Sequence, residues 1–258
     1  MSNYALEVRT VQSSAFKTLI EAIKELLVDT CIEFDETGIK IVAMDSSHIV
    51  LVHLKLQADK FEYYHCPNKQ VIGVNMLNFH KIIKTINSND TLTLFVEDTD
   101  YNTLGIKIES NLKNSKTTYK LNLLDLDNSK ISVDPVEFHS VITLPSADFQ
   151  KICRDMNNIA EKVEIKNIDN QLIFTCKGEF CNQTTVLSDH EGINTITSKK
   201  AGEIVQGEFS LKYLVLFTKC TNLCNTVELY LKNDYPLITN WSCASLGVLR
   251  LCLSPQVL

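Results

Sequence analysis

The chain reads as an α+β protein built from two copies of one design, and three observations predict this. Strand-like segments outnumber helical ones in each half, and the helices come two per half. The order of elements also repeats. Phe79 follows Phe16 by 63 residues and Tyr213 follows Phe149 by 64, each pair marking the first and second helix of its half. Between the copies, Leu121 to Phe138 starts apolar, becomes a run of Asp, Asn and Ser, and ends near Pro135, which cannot donate to a ladder. This stretch reads as a linker. The expected organisation is a first domain over 1–120, a connector over 121–138 and a second domain over 139–258.

Composition agrees with a folded two-domain chain. A length of 258 residues exceeds the usual single domain, and 45% hydrophobic with 22% charged residues is ordinary for a globular protein with a real core. Five prolines and eight glycines give no low-complexity segment. The start Met-Ser-Asn-Tyr-Ala-Leu-Glu has no basic stretch followed by an apolar core, and Tyr213 to Phe217 is too short an apolar run to span a bilayer. A soluble, intracellular protein without membrane association is expected. Nine cysteines show no pair at zinc-ribbon spacing, and Cys220 with Cys224 has no second pair to complete a tetrahedral site. They read as reduced thiols used as small apolar residues, and no metal or other cofactor is implied.

In chain order, Ser14 to Leu27 is the first helix, capped by Ser13 or Ser14, with Phe16, Leu19, Ile20, Ile23, Leu26 and Leu27 on one stripe. Cys31 to Leu56 alternates like strands, with a turn at Glu36-Thr37-Gly38 and a polar loop at Met44 to His48. Met76 to Ile86 is the second helix. Strands are expected at Thr91 to Glu97, Leu104 to Glu109 and Thr117 to Leu124. In the second half, Ser146 to Ile159 is helical, then strands at Val163 to Lys166, Gln171 to Cys176 and Gln183 to Ser188 precede a helix at Leu211 to Cys220. Strands at Val227 to Lys232, Leu237 to Ser242 and Gly247 to Leu253 end the chain.

Each helix carries a basic pair away from its apolar stripe: Lys17 and Lys24, Lys81 and Lys84, Lys151 and Arg154, Lys212 and Lys219. One such pair is usually a solvated face. Four together point to a shared basic surface, which can hold a phosphate backbone even though the net charge is -6. The helices show no base-reading pattern, so the expected contact is sequence-independent and salt-sensitive.

From about Tyr4 to Val257 the chain resembles the eukaryotic sliding clamp family, proliferating cell nuclear antigen. The stretches that carry the resemblance are Met44-Asp45-Ser46-Ser47-His48, Gly73-Val74-Asn75, Leu124-Asp125-Leu126-Asp127, Ile152-Cys153-Arg154-Asp155, Tyr213 with Phe217-Thr218-Lys219, and Asp234-Tyr235-Pro236-Leu237. Together they are far more specific than one motif. The resemblance implies a DNA clamp fold: two similar domains per chain, helices lining an inner face, sheets outside, and a head-to-tail homotrimeric ring around double-stranded DNA. It implies a polymerase processivity factor acting in the nucleus, or at a viral replication site for a viral source. The eight basic residues match the family's DNA-facing positions, while Thr18 and Asn158 stand where the family has further basic residues.

The resemblance also implies two protein contacts. The strand around Tyr119 and Leu121 would pair with the next subunit's strand from Phe180 and Cys181 through Gln183 to Thr185, with Met156 and Ile159 beside Tyr119. A groove under the connector, made of Met44, His48, Leu51, Ile131, Val133, Pro236, Cys252, Leu253, Ser254 and Pro255, would accept a glutamine-aliphatic-aromatic motif. Polymerase, clamp loader, flap nuclease and ligase would bring that motif. Asp134 replaces a usual proline and Cys252 a usual aromatic, and Asp169 occupies the place of the lysine that takes ubiquitin in many relatives, with Lys166 the nearest substitute.

Other classes fit less well. Asp45, Ser46 and His48 are hydrolase residue types, but close neighbours in one loop do not align as a triad. Glu97, Asp98 and Asp100 suit a hairpin turn before they suit a two-metal site. The nearer rival is a subunit of a heterotrimeric clamp of checkpoint or archaeal type.

Overall fold

The computed structural model describes residues 4–110, 112–127, 131, 136–168, 171–188, 194–197 and 204–256. Its elements form two compact units: Met1–Ser46, Val52–Ile131 and Ser242–Leu249 in the first, Ser47–Leu51, Ser132–Trp241 and Arg250–Leu258 in the second. The first half runs β1 Tyr4–Thr10, α1 Ser13–Ile23, β2 Asp29–Asp35, β3 Gly38–Met44, β4 Val50–Gln57, β5 Tyr63–His65, β6 Gln70–Asn75, α2 Met76–Ile83, β7 Asp90–Glu97, β8 Asp100–Ser110 and β9 Ser115–Asn122. The second runs β10 Ser140–Pro145, α3 Ser146–Asn157, β11 Lys162–Ile168, β12 Gln171–Lys177, β13 Asn182–Ser188, β14 Asn194–Thr197, β15 Val205–Ser210, α4 Leu211–Phe217, β16 Thr226–Leu231, β17 Leu237–Cys243 and β18 Gly247–Leu253.

In the first unit the strand orders are β5-β1-β7-β8-β9 and β4-β3-β2-β6, and in the second β13-β12-β11-β15 and β14-β10-β16-β17-β18. Each unit thus repeats one plan of antiparallel strands and a helix pair. The strands alternate buried and less buried positions, as β11 and β12 do through Val163, Ile165, Leu172 and Phe174.

The helices carry the core. Phe16 and Phe79 meet edge to face at 6.4 Å in the first unit, and in the second Phe149 lies 6.4 Å from Phe174 and 6.3 Å from Trp241. Tyr213, expected to be the counterpart of Phe79, is only half-buried, and its hydroxyl shares a 2.8 Å hydrogen bond with Ser47 Oγ. The fully buried Leu214 takes the core place instead. Phe16, Phe79, Phe149 and Leu214 are each the fourth residue of their helix, so the repeat is one of helical register rather than of residue type.

All four helices end earlier than periodicity suggests, α3 by only two residues, at Asn157 rather than Ile159. Alpha-helical geometry stops at Ile23 rather than Leu27 in α1, at Ile83 rather than Ile86 in α2, and at Phe217 in α4, where a 3-10 turn over Thr218–Asn222 follows. Thr85 Oγ1 donates to Ile82 O at 2.7 Å and Thr218 Oγ1 to Val215 O at 2.8 Å, so threonine hydroxyls occupy carbonyls that the next helical turn would need. Six strands were not anticipated: β1, β5, β6, β10, β14 and β15. Of these, β6 and β10 run directly into helices, and their apolar residues merge with the helical pattern that follows.

The β2–β3 hairpin is pinned by Asp35. Its carboxylate accepts from the Thr37 backbone N–H, the Thr37 hydroxyl and Lys40 Nζ. Burial pushes the carboxyl up, but these hydrogen bonds and the Lys40 charge outweigh it and hold its pKa at about 2. A depressed carboxyl stabilises the fold above its ordinary value of 3.8, and that stabilisation is lost as pH falls toward 2. Asp35→Asn is expected to cost about 1 kcal/mol at neutral pH, after allowance for solvent screening, and nothing near pH 2. Urea melts at the two pH values check this.

Candidate nucleic-acid interface and partner surfaces

The eight basic residues lie on or just after the four helices. Lys81, Lys84, Lys151, Arg154, Lys212 and Lys219 are exposed. Lys84 and Arg154 make no ion pair among the described residues. Lys151 pairs with Asp155 one turn on, Lys81 Nζ donates to Asn78 Oδ1 at 3.2 Å, and Lys212 Nζ lies 5.7 Å from the centre of the Tyr213 ring. Lys17 and Lys24 differ from these six, since both are half-buried. Lys17 Nζ donates to Ile86 O at 2.9 Å, serving a carbonyl beyond the end of α2, and Lys24 Nζ is 2.7 Å from Glu25 Oε1.

Two of the edge strands are β9 and β13. Among the described residues β9 bonds only to β8 and β13 only to β12. Both bear side chains suited to a partner. Tyr119 and Leu121 on β9 are half-buried, as are Cys181, Gln183 and Thr185 beside and along β13. Leu112 is 82% exposed just before β9, Phe180 77% exposed just before β13, and Val186 48% exposed on β13. Met156 does not join this surface: it is a fully buried residue of α3, while Ile159 is half-buried. Next to the β12–β13 turn a cleft of about 940 Å³ is lined by Ile159, Glu161, Lys177, Phe180, Ser210 and Lys212.

For the groove, His48 is exposed with φ 57°, Leu51, Pro236, Cys252, Ser254 and Pro255 are half-buried, and all belong to the second unit. Ser254 N–H donates to Ile49 O at 3.0 Å, fixing the chain end against the 47–51 segment. Leu253 is fully buried, so it packs beneath this surface rather than forming it. Met44 and Ile131, both half-buried, belong to the first unit, and Val133, Asp134 and Asp169 lie outside the described residues. Burial pushes the Cys252 thiol up to about 11, with the Arg250 charge opposing, so it is neutral and behaves as a small apolar group. All nine cysteines are free.

The start of the connector is seated in the first unit. Leu124 N–H donates to Gly73 O at 2.8 Å, and a Cβ at Gly73 would come within 2.3 Å of Leu124 O. Only glycine lets β6 accept this segment so closely. The acidic turn at Glu97 to Asp100 is accounted for locally: Asp100 accepts from Asn102 N–H at 3.1 Å and Thr103 Oγ1 at 2.7 Å, and Lys120 Nζ reaches Glu97 Oε2 at 3.2 Å. Lys166 Nζ pairs with Glu164 Oε2 at 3.0 Å. Among the described residues no helix is long and apolar enough to cross a membrane.

Two family models match the chain, the N-terminal domain of proliferating cell nuclear antigen over residues 5–130 and its C-terminal domain over 132–256. The chain belongs to the proliferating cell nuclear antigen family. It is 34% identical over 257 residues to a protein named probable DNA polymerase sliding clamp 1 of Paramecium bursaria Chlorella virus 1, covering 98% of this chain and 97% of that one. It is 33% identical over 255 residues to proliferating cell nuclear antigen of Chaetomium thermophilum, covering 98% of each. One family model thus matches each half of the chain.

The sequence pointed to the basic pairs but not to which members are committed to local bonds. It also missed Leu112, Val186 and His80 of α2. Leu112 and Val186 are apolar residues in polar surroundings, a signal that marks them only once the strand edges are known.

Proposed function

We propose that this chain is a DNA polymerase processivity factor that closes with two further copies into a ring around duplex DNA. The observation that carries the reading is the pair of open edges, β9 in one unit and β13 in the other, each flanked by exposed apolar side chains. One such edge in each of two domains suits head-to-tail closure, in which the two edges pair with each other. In this reading Tyr119 and Leu121 of one copy meet Phe180, Cys181, Gln183 and Thr185 of the next, with Ile159 alongside and Met156 supporting from the core. Residues 1–120 and 139–258 are the clamp domains and 121–138 the connector.

The exposed cations on and just after α2, α3 and α4 then face the phosphate backbone without reading bases. The protein acts as a tether rather than a catalyst, in the nucleus or at a viral replication site. Polymerase, clamp loader, flap nuclease and ligase would dock through glutamine-aliphatic-aromatic motifs on Met44, His48, Leu51, Ile131, Val133, Pro236, Cys252, Ser254 and Pro255. Both matching family models are those of proliferating cell nuclear antigen, which favours self-assembly over the heterotrimeric alternative.

Light scattering tests the ring. The expected mass is three times the 29.2 kDa chain, persisting on dilution, and a monomer at all concentrations would count against it. The groove is tested by calorimetry with a glutamine-aliphatic-aromatic peptide. Ile131→Asp is expected to remove the signal, because a carboxylate would be desolvated against the peptide's apolar residues. Gly73→Val, which lifts Leu124 off β6, is expected to weaken the same peptide by about ten-fold while leaving the trimer mass unchanged.

A further inference from the structure

The helix pair of the first unit places a histidine within its basic face. Alpha1 and α2 pack antiparallel. Met76 N–H donates to Val28 O at 2.7 Å beyond the end of α1, Phe16 meets Phe79 in the middle, and Lys17 Nζ reaches Ile86 O beyond the end of α2. His80, half-buried on α2, is thereby set against the last turn of α1. The charged groups that face it are Lys24 and Glu25 just after α1, Glu21 of α1, and Lys84 just after α2. The strand β6 that leads into α2 carries no charged residue. Burial, then the charges of Lys24 and Lys84, hold the imidazole below its ordinary value of 6.5, while Glu21 and Glu25 act the other way. Lys24 is already engaged by Glu25, so its repulsion of an imidazolium is partly spent.

We infer that His80 is a proton-linked contact for the phosphate backbone of duplex DNA, taking up one proton from solvent when a phosphate approaches. The inference rests on the reading of the helix faces as the DNA surface. A phosphate near Lys24 and Lys84 neutralises the charges that oppose protonation and adds attraction for the imidazolium. The cation gained is then available as a further phosphate contact. Binding and protonation therefore help each other, and the hold on DNA strengthens as pH falls through the range where the bound imidazole titrates.

The test is fluorescence anisotropy of a labelled duplex oligonucleotide at low salt, with the assembled protein, between about pH 5.5 and 8. The wild-type affinity is expected to rise several-fold toward the acid end, and His80→Gln to lose that extra pH dependence. His80→Lys, permanently charged, is expected to bind at pH 8 as the wild type does in acid, with a salt slope steeper than that of His80→Gln by about 0.9 per contact. A His80→Gln protein that keeps the wild-type pH dependence overturns the inference and leaves the DNA reading standing. Loss of binding for all three proteins at every pH overturns the DNA reading, and the inference with it.

Discussion

Reversing charge at both Lys81 and Arg154 is expected to abolish the stimulation of polymerase on a primed circular template while leaving the oligomer mass unchanged. Both side chains are exposed, Arg154 makes no ion pair among the described residues, and Lys81 is held only by a neutral asparagine. Neither is needed to fold its helix. Substitution by glutamate replaces attraction to phosphate by repulsion at one site in each unit, and a closed ring multiplies the change by its number of subunits. Each phosphate contact removed lowers the salt slope of DNA affinity by about 0.9, so the double variant should show a shallow slope as well as weak binding. Lys17→Ala gives the contrast. Its ammonium is committed to Ile86 O, so its loss should lower thermal stability by a fraction of the protein's margin and change stimulation little. Stimulation that survives in the double variant would remove the helix faces from the DNA surface.

The difference between these lysines shows where sequence reasoning stops. Spacing placed Lys17 and Lys24 on one helix face, as it did Lys81 and Lys84, but what an ammonium touches depends on the neighbouring helix. Ile86 O lies 69 residues from Lys17 and comes within its reach only through the antiparallel packing of α1 on α2. The helices themselves were legible because their apolar stripes are strong, with Phe16, Leu19, Ile20 and Ile23 all buried. Their ends were less so, since threonine hydroxyls rather than proline or glycine close α2 and α4. Short strands such as β6 and β10 were hidden because apolar residues continue without a break into the following helix. For the surfaces, Leu253 and Met156 look from residue type like contact residues, yet both are fully buried. An apolar side chain carries no mark that tells a core from an interface.

Phe180→Asp is expected to convert a trimer into single chains of 29.2 kDa by light scattering, with the melting temperature of the chain nearly unchanged. Phe180 is 77% exposed at the turn that leads into β13, so the fold gains little from it. A contact that buries it would gain the transfer free energy of an aromatic ring, roughly 1.5–3 kcal/mol, and an aspartate there would have to be desolvated without a partner. The loss recurs at every interface of a closed ring, so a modest penalty per contact becomes a large shift in assembly. Tyr119→Asp, on β9, should act the same way, because the proposed contact uses both edges. Val11→Asp is the control: Val11 is 56% exposed but sits between β1 and α1, on neither edge strand, and should leave the mass alone. If Phe180→Asp and Tyr119→Asp both stay trimeric, the two open edges are not the surfaces that close the ring. If only one dissociates, the edges differ in how much their side chains contribute beyond backbone pairing.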